Sequence, residues 1–155
     1  MISTRRPPLT PSNPADRPFT ILCIEDDPGI ARIYERRLTA FGARVLLRAS
    51  GRDGFAAAAE AAPDLILLDN VLPDEEGVHL VKRLRSNPAT AHIPVLMLTG
   101  SHRRGIERRV LVEGIAAVLE KPVNFDELFD HIRRIVPQAG TVPTSDAASP
   151  HGNAR

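Results

Sequence analysis

The sequence predicts an α/β domain in which five parallel strands form a doubly wound sheet with five helices. Five short apolar runs alternate with longer segments of helical periodicity, and this alternation is typical of parallel βαβ units. The runs are apolar at successive residues rather than at every second one, which indicates strands that are covered by helices on both faces. The expected strands are residues 19–24, 45–47, 65–68, 95–98 and 116–119.

The first three helices are recognised from their apolar spacing and from the residues that begin or end them. The first is predicted to open at Pro28 and to stop at Gly42. The second is mostly alanine after Phe55 and ends before Pro63. The third closes at Asn87, because a residue that precedes proline disfavours helical geometry.

The two remaining helices differ in the strength of their patterns. The fourth, around residues 103–113, has only a thin apolar stripe among several arginines. The last helix has Asn124 as its expected N-cap. Its apolar side chains follow helical spacing throughout, at Phe125, Leu128, Phe129, Ile132, Ile135 and Val136.

The composition fits one ordinary globular domain. At 155 residues the chain can bury a core without disulfides, and its single cysteine, Cys23, lies in an apolar run where we expect a small core residue. The 20 lysines and arginines nearly balance the 19 aspartates and glutamates, which argues against direct nucleic-acid binding. No apolar stretch is long enough for a membrane span or a signal peptide, so we expect a cytoplasmic protein.

Both ends of the chain change in composition. Residues 1–17 are rich in proline, arginine, serine and threonine, and residues 138–155 have hardly any large apolar side chain. Such segments bury too little surface to offset the entropy of ordering, so we expect two flexible tails. The predicted domain is residues 18–137, and because the second tail has no room for an output module, we expect a stand-alone domain.

Polar side chains follow four of the predicted strands at their carboxyl ends. In a doubly wound sheet, ligands bind in the crevice beyond these ends, where the strand order reverses. We therefore expect the polar side chains to meet in one crevice. In chain order they are Glu25, Asp26, Asp27, Asp69, Thr99 and Lys121.

This set of side chains suits magnesium-assisted phosphoryl chemistry. Mg²⁺ prefers oxygen ligands and needs only one or two direct carboxylates. Beside the cation, Asp69 can attack phosphorus as a nucleophile and form an acyl phosphate. Lys121 can pair with one phosphoryl oxygen, and the Thr99 hydroxyl can donate to another. Each residue alone is better explained as a cap, a turn or a surface residue, but the combination favours a reactive site.

The motifs around these residues resemble the receiver domain of two-component response regulators. The resemblance covers essentially all of residues 18–137. The spacing from Asp69 to Thr99 and from Thr99 to Lys121 is also similar to that of the family. The matching segments are ILCIEDDP at 21–28, PDLILLD at 63–69, LPD at 72–74 with Gly77, PVLMLTG at 94–100 and EKP at 120–122.

The resemblance implies the flavodoxin-like strand order 2-1-3-4-5 and a metal site. By resemblance, Asp69 is the phosphoacceptor and a metal ligand, and Asp26 is a direct Mg²⁺ ligand. Glu25 is its water-mediated neighbour, and the backbone carbonyl of Val71 is a further metal ligand. Asp27 is expected to assist at most, since the family places less weight on that position.

Other positions are implied to act in phosphoryl transfer or in its readout. Lys121 and Thr99 are the residues expected to act with Asp69, and a cis peptide bond is expected before Pro122. Receivers commonly carry an aromatic residue three positions before the lysine, and this ring moves inward when the threonine turns toward the phosphoryl group. Val118 stands at that position, so this step is missing or replaced.

The resemblance also implies a function and partners. A histidine kinase or a histidine phosphotransfer protein is expected to supply the phosphoryl group to Asp69. The protein is expected to catalyse its own phosphorylation and dephosphorylation without a separate enzymatic output. It is then expected to switch a downstream protein target or to pass the phosphoryl group on in a phosphorelay. We expect a monomer or a phosphorylation-linked dimer that binds neither membranes nor nucleic acid.

Two alternatives stay open. One is a receiver-fold adaptor that binds its partner independently of phosphorylation, and Val118 together with the weak fourth helix motivates it. The other is a phosphatase with an aspartate nucleophile, which also uses Mg²⁺ and an acid after a strand. That class needs a second acid two residues after the nucleophile, where this chain has Val71, so it is disfavoured.

Overall fold

The computed structural model describes residues 17–100 and 114–140 and shows a five-stranded parallel sheet. The second strand of the chain lies at one edge of the sheet and is followed by the first, third, fourth and fifth. This confirms the predicted fold class and strand order. The helix predicted around residues 103–113 lies outside the described residues, as do residues 1–16 and 141–155 of the predicted tails. The strands are β1 Thr20–Ile24, β2 Arg44–Arg48, β3 Leu65–Asp69, β4 Val95–Thr99 and β5 Ala117–Glu120. The described helices are α1 Pro28–Phe41, α2 Gly51–Ala61, α3 Gly77–Ser86 and α4 Phe125–Ile135.

The sheet separates two apolar layers, and this explains why its central strands are apolar at successive residues up to their last positions, Asp69 and Thr99. All residues of β3 and β4 are buried. Along β1, Ile21 and Cys23 pack into the layer under α1 and α4, whereas Leu22 and Ile24 pack into the layer under α2 and α3. The prediction that Cys23 is a small core residue is therefore confirmed.

Local signals place the helix ends. Asp27 is the N-cap of α1, and its carboxylate accepts hydrogen bonds from the backbone N–H groups of the first turn. The helix ends at Gly42, whose φ of 107° is left-handed and favours glycine. Asn124 caps α4 by accepting a hydrogen bond from Glu127 N. The predicted start and end of the first helix and the predicted cap of the last are confirmed.

The packed chain continues past the predicted domain end at residue 137. A short 3₁₀-helix, Pro137–Gly140, follows α4 and places the side chain of Ala139 in the α1–α4 layer. The burial of Ala139 was not predicted, because a single small apolar residue among glycine and polar neighbours shows no periodic pattern. None of the helices in the two described ranges combines the length and the apolar character that a membrane span requires.

The order of the sheet determines where the functional crevice lies. Strands β1 and β3 are neighbours in the sheet although α1, β2 and α2 separate them in the chain. Their register pairs Ile24 with Leu68, so that the residues after β1 and the last residue of β3 lie side by side. The register of β4 with β5 likewise pairs Thr99 with Glu120. The carboxyl ends of four strands therefore meet at one edge, as expected at a switch in strand order.

Gly77, the first residue of α3, is required by close packing against the end of β3. A Cβ atom at this position would lie 2.8 Å from the carbonyl oxygen of Asp69 and 2.9 Å from the Cα atom of Asn70. Both are backbone atoms, which cannot turn away as a flexible side chain would. Gly77 therefore lets α3 begin directly behind the candidate site.

We predict that Gly77→Ala destabilises the protein by about 2 kcal/mol, because overpacking forces the backbone to move. The measurement is the free energy of unfolding in urea. Gly140→Ala is the matched control, since nothing lies within 4 Å of the Cβ atom it would add. Equal stability of the two variants would contradict the packing argument.

Candidate functional site

Three carboxylates converge at the carboxyl ends of β1 and β3. One carboxylate oxygen from each of Glu25, Asp26 and Asp69 can be chosen so that all three lie within 4.8 Å of one another. Glu25 and Asp69 are buried, with 4% and 7% of their surface exposed, whereas Asp26 is open to solvent. An all-oxygen group that is open on one side fits a divalent cation such as Mg²⁺, which keeps several of its waters.

Lys121 lies between the two buried carboxylates. Its Nζ donates to Asp69 Oδ2 at 2.6 Å and to Glu25 Oε2 at 3.2 Å. The lysine follows β5, and its backbone N–H donates to the carbonyl oxygen of Thr99 at 2.7 Å, which ties the ends of β4 and β5 together. The peptide bond between Lys121 and Pro122 is cis. One ammonium group thus pairs with two carboxylates at the ends of different strands.

The pKa values reflect this crowding. The pKa of Glu25 is raised from 4.5 to about 7, first by burial and then by the hydrogen bond and negative charge of Asp69, while Lys121 acts in the opposite direction. Burial lowers the pKa of Lys121, but the hydrogen bonds and charges of Asp69 and Glu25 outweigh this effect and raise it. The lysine is therefore charged at neutral pH. The cost of burying the carboxylate of Glu25 beside Asp69 is expressed as the raised pKa of Glu25.

Two further predicted residues lie beside this cluster. Thr99 is the last residue of β4 and is buried, with 2% of its surface exposed. Val71 lies two residues after Asp69, and its backbone N–H donates to Asp69 Oδ1 at 3.0 Å. The Val71 side chain is 70% exposed. The structure therefore brings six of the predicted residues to one edge of the sheet, namely Glu25, Asp26, Asp69, Val71, Thr99 and Lys121.

Asp27 and Val118 have structural roles in the described part of the chain. The Asp27 carboxylate accepts from Gly29 N at 2.8 Å and from Ile30 N at 3.0 Å, and Asp27 is not part of the acidic group formed by its neighbours. Val118 lies in β5, is half-buried and packs against the α2–α3 layer. A β-branched residue suits this strand position.

Asp74, in the loop after β3, belongs to a segment that the sequence singled out, but its contact with α2 was not predicted. Its carboxylate accepts from Gly51 N at 2.8 Å and from Arg52 N at 2.9 Å, so it caps α2 from another part of the chain. The sequence shows only an acid after Pro73, and that pattern indicates a turn. No local signal can reveal a cap whose helix begins 23 residues earlier.

Known proteins that are similar to this chain contain the kind of domain that the sequence motifs indicated. Residues 21–133 match the family model described as response regulator receiver domain, which confirms the resemblance noted in the sequence. Response regulator PleD of Caulobacter vibrioides is 34% identical over 115 residues, which is 74% of this chain and 25% of PleD. The polar-differentiation response regulator DivK of Brucella anthropi is 28% identical over 116 residues, which is 75% of this chain and 94% of DivK.

Solved structures agree with the fold. The chemotaxis protein CheY4 of Vibrio cholerae superimposes with a TM-score of 0.73 at 27% identity, covering 77% of this chain and all of that one. A CheY-like receiver domain protein from Methanospirillum hungatei gives a TM-score of 0.72 at 26% identity, covering 80% of this chain and 98% of that one. The chain spans about a quarter of PleD and about half of the Synechocystis regulator RpaA, so it corresponds to one domain of these longer relatives.

We predict that Glu25→Gln stabilises the metal-free protein at about pH 8 by on the order of 2 kcal/mol, because one pKa unit corresponds to about 1.4 kcal/mol. The pKa of Glu25 is near 4.5 in the unfolded chain and about 7 in the folded one. The folded state therefore binds more protons across this window, and the stability of the wild type falls as the pH rises through it. The gain from the variant should fade toward pH 4.5.

The measurement is urea unfolding in the presence of a chelator at about pH 5 and about pH 8, which bracket most of this window. Glu60→Gln is the control, since Glu60 is an exposed acid on α2. A Glu25→Gln variant that is less stable than the wild type at the higher pH would contradict the electrostatic reading of the cluster.

Proposed function

The chain belongs to the response regulator receiver domain family, and on this premise we propose that it is a signalling protein in which Asp69 accepts a phosphoryl group. The observation that carries the proposal is the contact between Lys121 and Asp69, 2.6 Å long, inside a cluster that also contains Glu25 and Asp26. A carboxylate at the end of a strand that has both a fixed cation and a metal-ligand set beside it is equipped to act as a nucleophile.

In the proposed reaction, an oxygen of Asp69 attacks the phosphorus of a phosphohistidine. The new P–O bond makes an acyl phosphate, and the P–N bond breaks with its electron pair returning to the imidazole nitrogen. Lys121 neutralises the negative charge that the incoming phosphoryl group adds to the crevice, because its ammonium already faces Asp69. The Val71 N–H, which donates to Asp69 Oδ1, holds the carboxylate in one orientation.

Asp26, Asp69 and the backbone carbonyl of Val71 are the proposed protein ligands of Mg²⁺, with Glu25 acting through water. The arrangement of acidic oxygens supports this assignment, and receiver domains generally depend on Mg²⁺. When bound, the cation screens the two anions as they approach and stabilises the charge of the group in transfer. Burial of Glu25 and exposure of Asp26 suit a site that is closed toward the core and open toward the phosphodonor.

The proposed signal is a change in protein binding. Receiver domains interact with histidine kinases and with downstream targets. We propose a histidine kinase or a histidine phosphotransfer protein as donor, followed by a protein target or a further step of a phosphorelay. Once Asp69 is phosphorylated, the Thr99 hydroxyl and the Lys121 ammonium are the groups that can turn toward the new phosphoryl oxygens.

We predict that Asp69→Asn abolishes Mg²⁺-dependent phosphorylation by a small phosphodonor such as acetyl phosphate. An amide is a poor nucleophile, although it has nearly the same size as the carboxylate it replaces. Phosphorylation is followed by mass spectrometry of the intact protein. Asp64→Asn is the control, because Asp64 lies before β3 at the opposite end of the strand. Persistent phosphorylation of Asp69→Asn would refute the assignment.

The second candidate is an adaptor that binds its partner independently of phosphorylation. The observation that favours it is Val118, which packs into the α2–α3 layer and has no ring that could move. Beryllofluoride is a mimic of the aspartyl phosphate. If the protein is a switch, we predict that beryllofluoride changes the amount of at least one protein captured from the native cell at least several-fold. The measurement is quantitative mass spectrometry of captured proteins with and without the mimic.

Asp69→Asn serves as the control in this capture, since it replaces the carboxylate to which beryllofluoride attaches with a neutral amide. Capture that is equal in all conditions would favour the adaptor. Capture that changes in the wild type and stays constant in the variant would favour the switch.

A further inference from the structure

The β3–α3 loop, residues 70–76, contains Val71, whose backbone carbonyl is a proposed ligand of Mg²⁺. Bonds within the loop determine its shape. Leu72 N donates to the Glu75 carbonyl oxygen at 3.2 Å, and Val71 and Glu76 form an isolated β-bridge. These bonds close the loop on itself. They do not determine the position of the loop relative to Glu25 and Asp26, which follow β1.

Asp74 supplies a connection from this loop to α2. One of its carboxylate oxygens accepts from Gly51 N at 2.8 Å and the other from Arg52 N at 2.9 Å. These are the first two amides of the helix, which have no acceptor within it. The two bonds lower the pKa of Asp74, so the carboxylate is charged at neutral pH. Because both oxygens are engaged, the orientation of the loop toward the helix is defined.

The remaining cap of α2 is local. Ser50, the N-cap residue, accepts from Asp53 N at 3.1 Å through its hydroxyl. The helix is therefore capped by two side chains, and the bond from Ser50 does not touch the loop. This division provides a natural control for any experiment on Asp74.

Neighbouring contacts bring the loop close to α2. The side chain of Glu75 forms an ion pair with Arg83 of α3, and the Arg83 guanidinium lies 4.7 Å from the ring centre of Phe55 on α2. Glu75 also occupies the space that a Cβ atom at Gly51 would need. A glycine at the start of α2 therefore lets the loop approach the helix.

The helix is itself packed on the strand that leads into the acidic cluster. A Cβ atom at Gly54 would overlap the side chain of Ile24, the last residue of β1. The next residues in the chain are Glu25 and Asp26. A path of direct contacts thus runs from the loop through Asp74 to α2, and from α2 to the end of β1.

We infer that Asp74 is a positioning residue for the metal site, because it holds the Val71 carbonyl at a defined place relative to Asp26. This inference rests on the proposed function, since the carbonyl is a ligand only if the site binds Mg²⁺. Asp74 does not touch the metal in this scheme. Its effect passes through the loop on one side and through α2 on the other.

The experiment is calorimetric titration of Mg²⁺ into the full-length protein and its variants, which measures binding without phosphorylation. Asp74→Ala is expected to weaken Mg²⁺ binding about 10-fold, as is typical of residues that orient a metal ligand. Asp74→Asn removes the same charge but keeps one oxygen that can accept from an α2 amide. Its loss of affinity is therefore expected to be smaller, and the difference between these two variants reports the hydrogen bond rather than the charge.

Two control variants separate the positioning of the loop from the effects of losing a cap or a negative charge at the start of α2. Ser50→Ala removes the local cap of the same helix, and Asp53→Asn removes a negative charge from its first turn. Both are expected to retain the wild-type affinity for Mg²⁺. Thermal unfolding of all four variants reports how far each one destabilises the helix.

The possible outcomes are distinct. Weakened Mg²⁺ binding in Asp74→Ala, partial recovery in Asp74→Asn and wild-type binding in Ser50→Ala support the positioning role. Wild-type affinity in Asp74→Ala, or an equal loss in Ser50→Ala, overturns it and leaves the proposed function standing. A wild-type protein that does not bind Mg²⁺ overturns the proposed metal site itself, together with the inference.

Discussion

The site depends on one ammonium group that holds two carboxylates together. Two like charges about 4 Å apart repel by about 4 kcal/mol at an effective dielectric constant of about 20, which is a large part of the stability of a small domain. Lys121 lies closer to Asp69 and to Glu25, at 2.6 and 3.2 Å, so its attraction to both offsets that repulsion. Burial, followed by the hydrogen bond and the charge of Asp69, still raises the pKa of Glu25, so Lys121 does not fully offset the cost of placing this carboxylate in the cluster. The crevice therefore favours a further positive charge.

The architecture was predictable because its signals are local and repeated. Each central strand is apolar at successive positions since both of its faces are covered, and each turn or cap, such as Pro28, Gly42 and Asn124, lies next to the element it limits. The order of the strands is not local. It followed from the resemblance, because periodicity alone does not say which strands are neighbours. The packing of Ala139 was missed for the related reason that one small residue carries no pattern.

The site was predictable to the extent that it lies at strand ends. Asp69, Thr99 and Lys121 could be placed at one edge from the βαβ pattern alone, since parallel strands bring their carboxyl ends together. What the sequence could not show is which groups share a partner. The bond from Lys121 to Glu25 spans 96 positions, and the bonds from Asp74 to α2 span 23 and 22. Such contacts depend on how segments that are distant in the chain pack against each other in the folded protein.

The same ammonium limits how a phosphoryl group can be sensed. If Asp69 is phosphorylated, Lys121 gains the phosphoryl oxygens as partners and its hold on Glu25 weakens. The backbone N–H of Lys121 donates to the carbonyl oxygen of Thr99, so the residue that carries the ammonium is bonded directly to the end of β4. This route uses only groups at the ends of β4 and β5. It does not require a moving ring at Val118, whose side chain packs into the α2–α3 layer. A receiver without the aromatic residue therefore keeps a physical connection between its proposed phosphoacceptor and the edge of its sheet.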